Sequence, residues 1–329
     1  MKPRSFIFLA VLVAISVYLG YRLGKTQHLK TLPTFTNSCL REGQDSLINP
    51  LLECETLNKA TNIEIKTFDQ HIEQLVNQSK NEGKANKIAV YFRDLNNGPW
   101  FGINQDENFF PASLIKVPVM IAYFKKAEQE PQILEQELRF DENIPDANNL
   151  QHFKPAQTIE VGKVYKISEL IEKMVIYSDN NAYQLLLNHI GPESIMQVFR
   201  DLGLPPPKYQ DTEDVNSVHD YATFWRVLFN ASYLNREDSK KALEILTKTI
   251  FSQGIVAGIP SNVQVAHKFG NYIRGVEIQM HDCGIVYYPQ KPYIACIMTR
   301  GTDVDKQIGV MQDISRKIYQ EVNDQTTSN

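Results

Sequence analysis

Phe110-Pro111-Ala112-Ser113-Leu114-Ile115-Lys116 places a serine and a lysine three residues apart at the predicted start of a helix. That spacing puts both side chains on one helical face. A serine hydroxyl is a weak nucleophile until a neighbouring base takes its proton. A lysine amine whose pKa is lowered by desolvation can act as that base. The N–H groups at a helix start face the oxyanion that develops on the substrate. Taken alone, the pair reads equally well as an N-capping serine and a solvated lysine.

Two further stretches extend the pattern. Tyr177-Ser178-Asp179-Asn180-Asn181 closes an apolar helical run. Ser178 there can relay a proton to a leaving nitrogen and Asn180 can hold a substrate amide, while Asp179 suits local backbone groups better than chemistry. Val265-Ala266-His267-Lys268-Phe269-Gly270-Asn271 precedes the final strand region. A cation at Lys268 steers a substrate carboxylate and raises the acidity of Ser178. Gly270 is a candidate substrate contact, and the N–H of Asn271 can pair with that of Ser113 as the two oxyanion donors.

Around these motifs the chain alternates strand and helix signals. Thr67–Lys80 carries Phe68, Ile72 and Leu75 at helical spacing. Lys87–Asp94 reads as a strand, with turn chemistry at Asn96–Pro99 and a second arm at Trp100–Ile103. A helical pattern begins at Ser168 and continues through Ala182 and Leu185 to Leu187; Gly191-Pro192 stops it. Tyr221–Phe229 and Ser239–Thr249 also read as helices. Ile285–Tyr288 and Tyr293–Met298 form a hairpin, and Val304 to Val322 recur as a closing helix. The two ends share one sheet with helices on its faces, and the middle is an inserted helical subdomain: an α+β protein.

Lys2 and Arg4 precede an uncharged run from Ser5 to Tyr21. Residues 1–22 are expected to be a signal anchor or transmembrane segment, with secretion after cleavage as the alternative. Residues 23–63 are expected as an extracytoplasmic linker, 64–322 as the folded domain and 323–329 as a tail. The formal net charge of -4, without a long basic run, argues against a nucleic-acid partner. Four cysteines, Cys39, Cys54, Cys283 and Cys296, fit an oxidising compartment. Cys39 and Cys54 can close a short loop, and Cys283 and Cys296 sit on neighbouring predicted strands, as a bridge or as two buried thiols. No clustered Cys/His spacing suggests a metal, and no cofactor motif is present. The histidines are read as surface or packing residues, with His219 and His267 expected near the rim of the cleft.

In order and spacing, Ser-x-x-Lys, Ser-Asp-Asn and Lys-x-Gly resemble the signature of class A β-lactamases and penicillin-binding proteins. The resemblance covers about residues 64–322 and extends through FFPASLIK and YSDNNAYQLLLNHIGPESI. It implies an antiparallel sheet packed between helices with an all-α lobe. By resemblance, Ser113 is the acylated nucleophile, Lys116 its base partner, Ser178 the proton relay, Lys268 the carboxylate-side cation, and Asn180, Gly270 and Asn271 substrate contacts. The implied partner is a β-lactam or a peptidoglycan stem peptide, outside the cytoplasm. Two positions depart from the family. Phe269 stands where a hydroxyl residue is usual and cannot hydrogen-bond a carboxylate. The connection from Pro205 to Tyr221 is short, leaving Glu213 as the one nearby candidate for the glutamate that activates the deacylating water. Slow deacylation, as in a D-Ala-D-Ala peptidase or a β-lactam sensor, is the alternative to fast hydrolysis.

Overall fold

The computed structural model describes residues 40–42, 47–48, 51–53, 62–96, 98–142, 151–207 and 214–327. The expected anchor at residues 1–22, Cys39, Cys54 and Glu213 lie outside the described residues. The chain divides into two compact units. The first, residues 1–42 and 51–58, shows an antiparallel ladder of β1 (Leu40–Glu42) and β2 (Leu51–Glu53). The second, residues 43–50 and 59–329, holds the motifs.

In the second unit, α1 (Asn62–Asn81) leads into β3 (Lys87–Asp94) and β4 (Trp100–Ile103). A short β5 (Asn108–Phe109) precedes a 3₁₀ turn at Ala112–Ile115 and α2 (Lys116–Ala127). The strands β6 (Glu137–Arg139) and β7 (Val164–Lys166) pair ahead of α3 (Ile167–Ile176), α4 (Asn180–Ile190) and α5 (Pro192–Asp201). Then come β8 (Asn216–Ser217), α6 (Val218–Phe229) and α7 (Arg236–Thr247). The chain closes with β9 (Val265–Arg274), β10 (Glu277–Val286), β11 (Tyr293–Gly301) and α8 (Val304–Thr327).

The sheet order is β4-β3-β11-β10-β9, antiparallel throughout, so both ends of the unit meet in one sheet. Both faces are covered. Ala89, Tyr91, Cys283, Cys296 and Met298 face the core shared with the helical lobe, while Ile88, Val90, Phe92, Met280 and Ile297 face the core built with α1 and α8. A strand buried on both sides reads as a nearly continuous apolar run rather than a clean alternation. The α8 stripe Val304, Ile308, Met311, Ile314, Ile318 and Val322 is buried along its length. The α1 stripe is Phe68, Ile72 and Val76, with Leu75 only partly buried. Gly258 lets the turn Ile255–Gly258 lie against α8, since a Cβ there would come within 2.7 Å of the Arg316 nitrogen.

Four expectations are corrected. The helix expected to run unbroken from Ser168 to Leu187 is two helices, because Asp179 caps the N-terminus of α4 by accepting from Asn181 N and the chain turns at Ser178 with φ 59. Lys268 does not precede the final strands but sits inside β9, whose polar residues hide its strand character. The stretch read as linker contributes to the core: Ile48 is buried, and the Leu47 carbonyl accepts a hydrogen bond from Tyr287 Oη at 2.9 Å. Two apolar residues among polar ones carry no period to detect. Neither His219 nor His267 lines a cleft rim. His219 packs on Tyr91 and Trp100 at the β3–β4 side of the sheet, and His267 is buried with its Nδ1 2.8 Å from Asp282.

Cys283 and Cys296 are register partners on β10 and β11 and are joined as a disulfide. No helix among the described residues is long and apolar enough to cross a membrane.

Candidate active site

Ser113 lies in the 3₁₀ turn and Lys116 opens α2. A 3₁₀ turn brings residues i and i+3 into line, so the spacing does hold the pair on one side. The turn is entered through Ala112 at φ 50, a left-handed backbone that an alanine adopts only when its surroundings impose it. What imposes it is visible in the contacts of Phe110. Its N–H donates to Gln279 Oε1 at 3.1 Å, and its carbonyl lies 2.9 Å from His281 Nε2. Both side chains rise from β10, and the Phe110 ring packs on Tyr272 with centroids 4.3 Å apart. Because a carbonyl only accepts, His281 carries its proton on Nε2, and its buried Nδ1 has no partner. Burial lowers the His281 pKa to about 4, so the ring is neutral at ordinary pH.

Gly270 packs against this turn from β9. A Cβ at that position would fall 3.0 Å from the Pro111 oxygen and 3.2 Å from the Ser113 nitrogen. The glycine therefore sets how closely the strand and the nucleophile segment approach.

Lys116 is fully buried, and its Nζ donates to Ser178 O at 2.7 Å, Ser178 Oγ at 3.1 Å and Asn180 Oδ1 at 2.6 Å. Lys268 approaches the same hydroxyl from the other side, with Nζ 3.0 Å from Ser178 Oγ and 3.0 Å from the Phe269 carbonyl. Two amines thus converge on one serine. Burial, aided by the charge of Lys268 and opposed by Asp179, holds the Lys116 pKa well below the usual lysine range. Burial likewise brings Lys268 down to about 7, against the pull of Asp282. The Ser113 hydroxyl makes no hydrogen bond among the described residues, so the amine of Lys116 is directed at Ser178 rather than at Ser113.

Asp179 behaves as a structural residue. Its carboxylate accepts from Thr158 Oγ1 at 2.9 Å, Ile159 N at 2.8 Å and Asn181 N at 3.0 Å. That fixes the left-handed Ser178 between α3 and α4, facing both lysines.

Sequence reasoning missed three features of the site. Gln151 Nε2 donates to the Ser178 carbonyl at 3.2 Å, and the His152 N–H donates to Asn271 Oδ1 at 2.8 Å. The segment Gln151–Phe153 therefore bridges the serine turn and β9. Gln279 and His281 hold the nucleophile segment, and Phe251 and Phe153 surround Phe269. None of these lies within a motif, and only spatial proximity reveals them.

Asp214, the described residue beside the Glu213 position, is turned away from the site. It accepts from Gln279 Nε2 at 3.0 Å and pairs with Arg300. Asn216 donates to the Pro205 carbonyl at 2.8 Å. Among the described residues, no group of His, Cys, Asp and Glu could hold a metal ion. A separate cavity of about 290 Å³ is lined by Phe124, Ile171, Ile245 and neighbours, and contains none of the site residues.

Two buried amines meeting one serine hydroxyl beside the Ser113 turn fit a serine hydrolase that uses no histidine base. The chain belongs to the β-lactamase enzyme family, whose family model matches residues 67–322. A β-lactamase of Bacillus licheniformis is 22% identical over 228 residues, covering 65% of this chain and 71% of that protein. Among solved structures, PBP-A superposes with a TM-score of 0.67 at 24% identity, covering 79% of this chain and 97% of that one. A mutant of PBP-A, solved as an acyl-enzyme complex with penicillin G, gives the same values. A class A β-lactamase from Mycobacterium abscessus superposes with a TM-score of 0.66 at 20% identity, over 78% of this chain and 99% of that one. These likenesses establish a shared fold.

Proposed function

We propose that the protein forms an acyl-enzyme on Ser113 with β-lactams or with D-Ala-D-Ala-like peptides, and that it works outside the cytoplasm. The observation that carries this reading is the convergence of Lys116 and Lys268 on Ser178 Oγ beside the Ser113 turn. In the acylation step Ser113 Oγ attacks the carbonyl carbon and loses its proton towards Lys116. A neutral Lys116 amine suits that role, and burial favours the neutral form. Ser178 passes a proton to the departing nitrogen, replenished through the lysines on either side. The N–H groups of Ser113 and Asn271 receive the oxyanion. Asn180 and Gly270 shape the floor on which the substrate lies. The Cys283–Cys296 disulfide supports an oxidising compartment, as does the apolar segment expected at residues 1–22.

Slow deacylation is the favoured second step. Among the described residues the nearby carboxylates are all engaged elsewhere: Asp179 with α4, Asp282 with His267 and Ile255, and Asp214 with Arg300 and Gln279. That supports a penicillin-binding peptidase or a sensor over a fast β-lactamase, and leaves Glu213 as the residue to test. Intact-mass spectrometry of the chain with a penicillin reads both steps. The expected result is a persistent adduct on Ser113, absent from Ser113→Ala. Steady turnover without a burst would remove the slow-deacylation reading, and no adduct from any acyl donor would remove the acyl-enzyme reading.

A further inference from the structure

In β9, Phe269 follows Lys268, the cation that the proposed function assigns to the leaving-group side of the substrate. Its ring is buried and stacked on Phe251, with centroids 4.2 Å apart and planes at 20°. Phe153 meets both rings edge-on, at 5.1 Å from Phe251 and 6.2 Å from Phe269. The Lys268 ammonium sits 4.1 Å from the Phe269 ring centroid. Ser178 Oγ and the Phe269 carbonyl take two of the three N–H donors of this lysine, and the apolar Phe269 ring lies against the same ammonium.

Among the described residues, the one arginine at this end of the sheet whose contacts reach β10 is already committed. Arg300 lies on the face of the sheet that carries Lys268 and Gly270, opposite Phe269, through the register Arg300–Gln279–Tyr272. Its guanidinium is committed to Asp214, Glu277 and the Asn108 carbonyl. Beside Phe269, its register partner Asp282 is a carboxylate engaged with His267 and the Ile255 N–H, which supplies no cation for a substrate carboxylate. Asn271 is buried on the same face of β9 as Phe269, and its Nδ2 has no hydrogen-bond partner. An anion placed against aromatic faces loses its hydration and meets the negative face of each ring.

We infer that this site selects acyl donors whose leaving-group end is an uncharged ester or amide rather than a carboxylate, with Phe269, Phe251 and Phe153 as the wall that excludes the charge. The inference rests on the acyl-enzyme reading above and names the substrate class of that same site. The buried Asn271 Nδ2, which has no hydrogen-bond partner while its Oδ1 accepts from the His152 N–H, is a donor suited to a neutral carbonyl.

The test compares benzylpenicillin with its methyl ester on the full-length chain, following the Ser113 adduct by intact mass. In either case Ser113 Oγ bonds to the lactam carbonyl carbon, the lactam C–N bond breaks, and the serine proton ends on the freed nitrogen. The adduct therefore adds the whole mass of the compound. The ester is expected to acylate faster by on the order of tenfold or more, the size of one charged hydrogen bond gained or lost. Phe269→Thr is expected to shift the ratio towards the acid. The wild-type ratio decides the matter even if that core variant fails to fold. A free acid that reacts as fast as the ester, or faster, overturns this inference and leaves the acyl-enzyme reading standing. No adduct from either compound removes both.

Discussion

The serine turn and the β9 strand approach the same hydroxyl, Ser178 Oγ, from opposite sides, yet they differ in what surrounds their lysines. Lys116 is enclosed by polar partners: two atoms of Ser178 and the Asn180 side chain. Lys268 has one such partner in Ser178 and is otherwise held by its own neighbour, through the carbonyl and ring of Phe269. The Lys116 side has the parts that acylation chemistry needs, and the Lys268 side has exchanged a polar reader for aromatic packing. Within one site, the groups that move protons and the groups that recognise a substrate have departed from the family pattern to different degrees.

The largest effect that would break this contrast is expected at Lys116. Lys116→Met keeps a side chain of similar length in a buried position but removes the base. General-base catalysis contributes roughly a hundredfold to ten-thousandfold, so the adduct on Ser113 should form more slowly by that order. A loss of only a few-fold would mean that another group takes the proton. The pH profile sharpens the same comparison. In the proposed roles Lys116 serves when neutral, so acylation should rise as pH increases through its depressed pKa. Lys268 serves when charged, so the rate should fall as pH passes about 7, where that amine loses its proton. Because the amines share Ser178, the two limbs belong to the coupled pair. Lys268→Met should flatten the alkaline limb, and a limb that stays put would assign it elsewhere.

Next in size is the disulfide beneath Lys268. Cys283 is the register partner of Lys268, and Cys296 is its own partner on β11. The bridge closes a separation of 13 residues, for which chain entropy gives about 3 kcal/mol. Reductant should therefore lower the melting temperature of the wild type by more than that of Cys283→Ala/Cys296→Ala, which retains Cys39 and Cys54. Equal melting curves with and without reductant would show that the bridge adds nothing.

How legible these parts were in the sequence follows the same division. Ser113, Lys116, Ser178 and Asn180 fall within two short motifs, and local backbone geometry brings each motif's residues together. The β3 limits, Lys87–Asp94, and the α8 stripe were legible because period and turn residues agreed. The split between α3 and α4 was not, because apolar residues keep a helical period across Ser178 while the capping of Asp179 breaks the backbone. Phe269 was visible as a departure, but its partners Phe153 and Phe251 come from loops distant in sequence, and no period links them. Gln279 and His281 were hidden for the same reason: on a strand buried on both faces, nothing local marks a polar residue as the support of a turn far away in the chain.

That support carries the last and smallest prediction. His281 Nε2 donates to the Phe110 carbonyl, three residues before Ser113, and Ala112 is held at positive φ between them. His281→Ala leaves a buried carbonyl without a donor, which costs about 1–3 kcal/mol. If His281 only stabilises the fold, the melting temperature falls while acylation of the folded protein is unchanged. If it positions the nucleophile, the maximal acylation rate of the folded protein falls about tenfold, because a turn free to leave the left-handed conformation misplaces Ser113. His281→Gln, which can still donate to the same carbonyl, should restore much of that rate. Rescue of stability without rescue of rate would break the link, and the Ser113 turn would then owe its geometry to Gly270 and Gln279 alone.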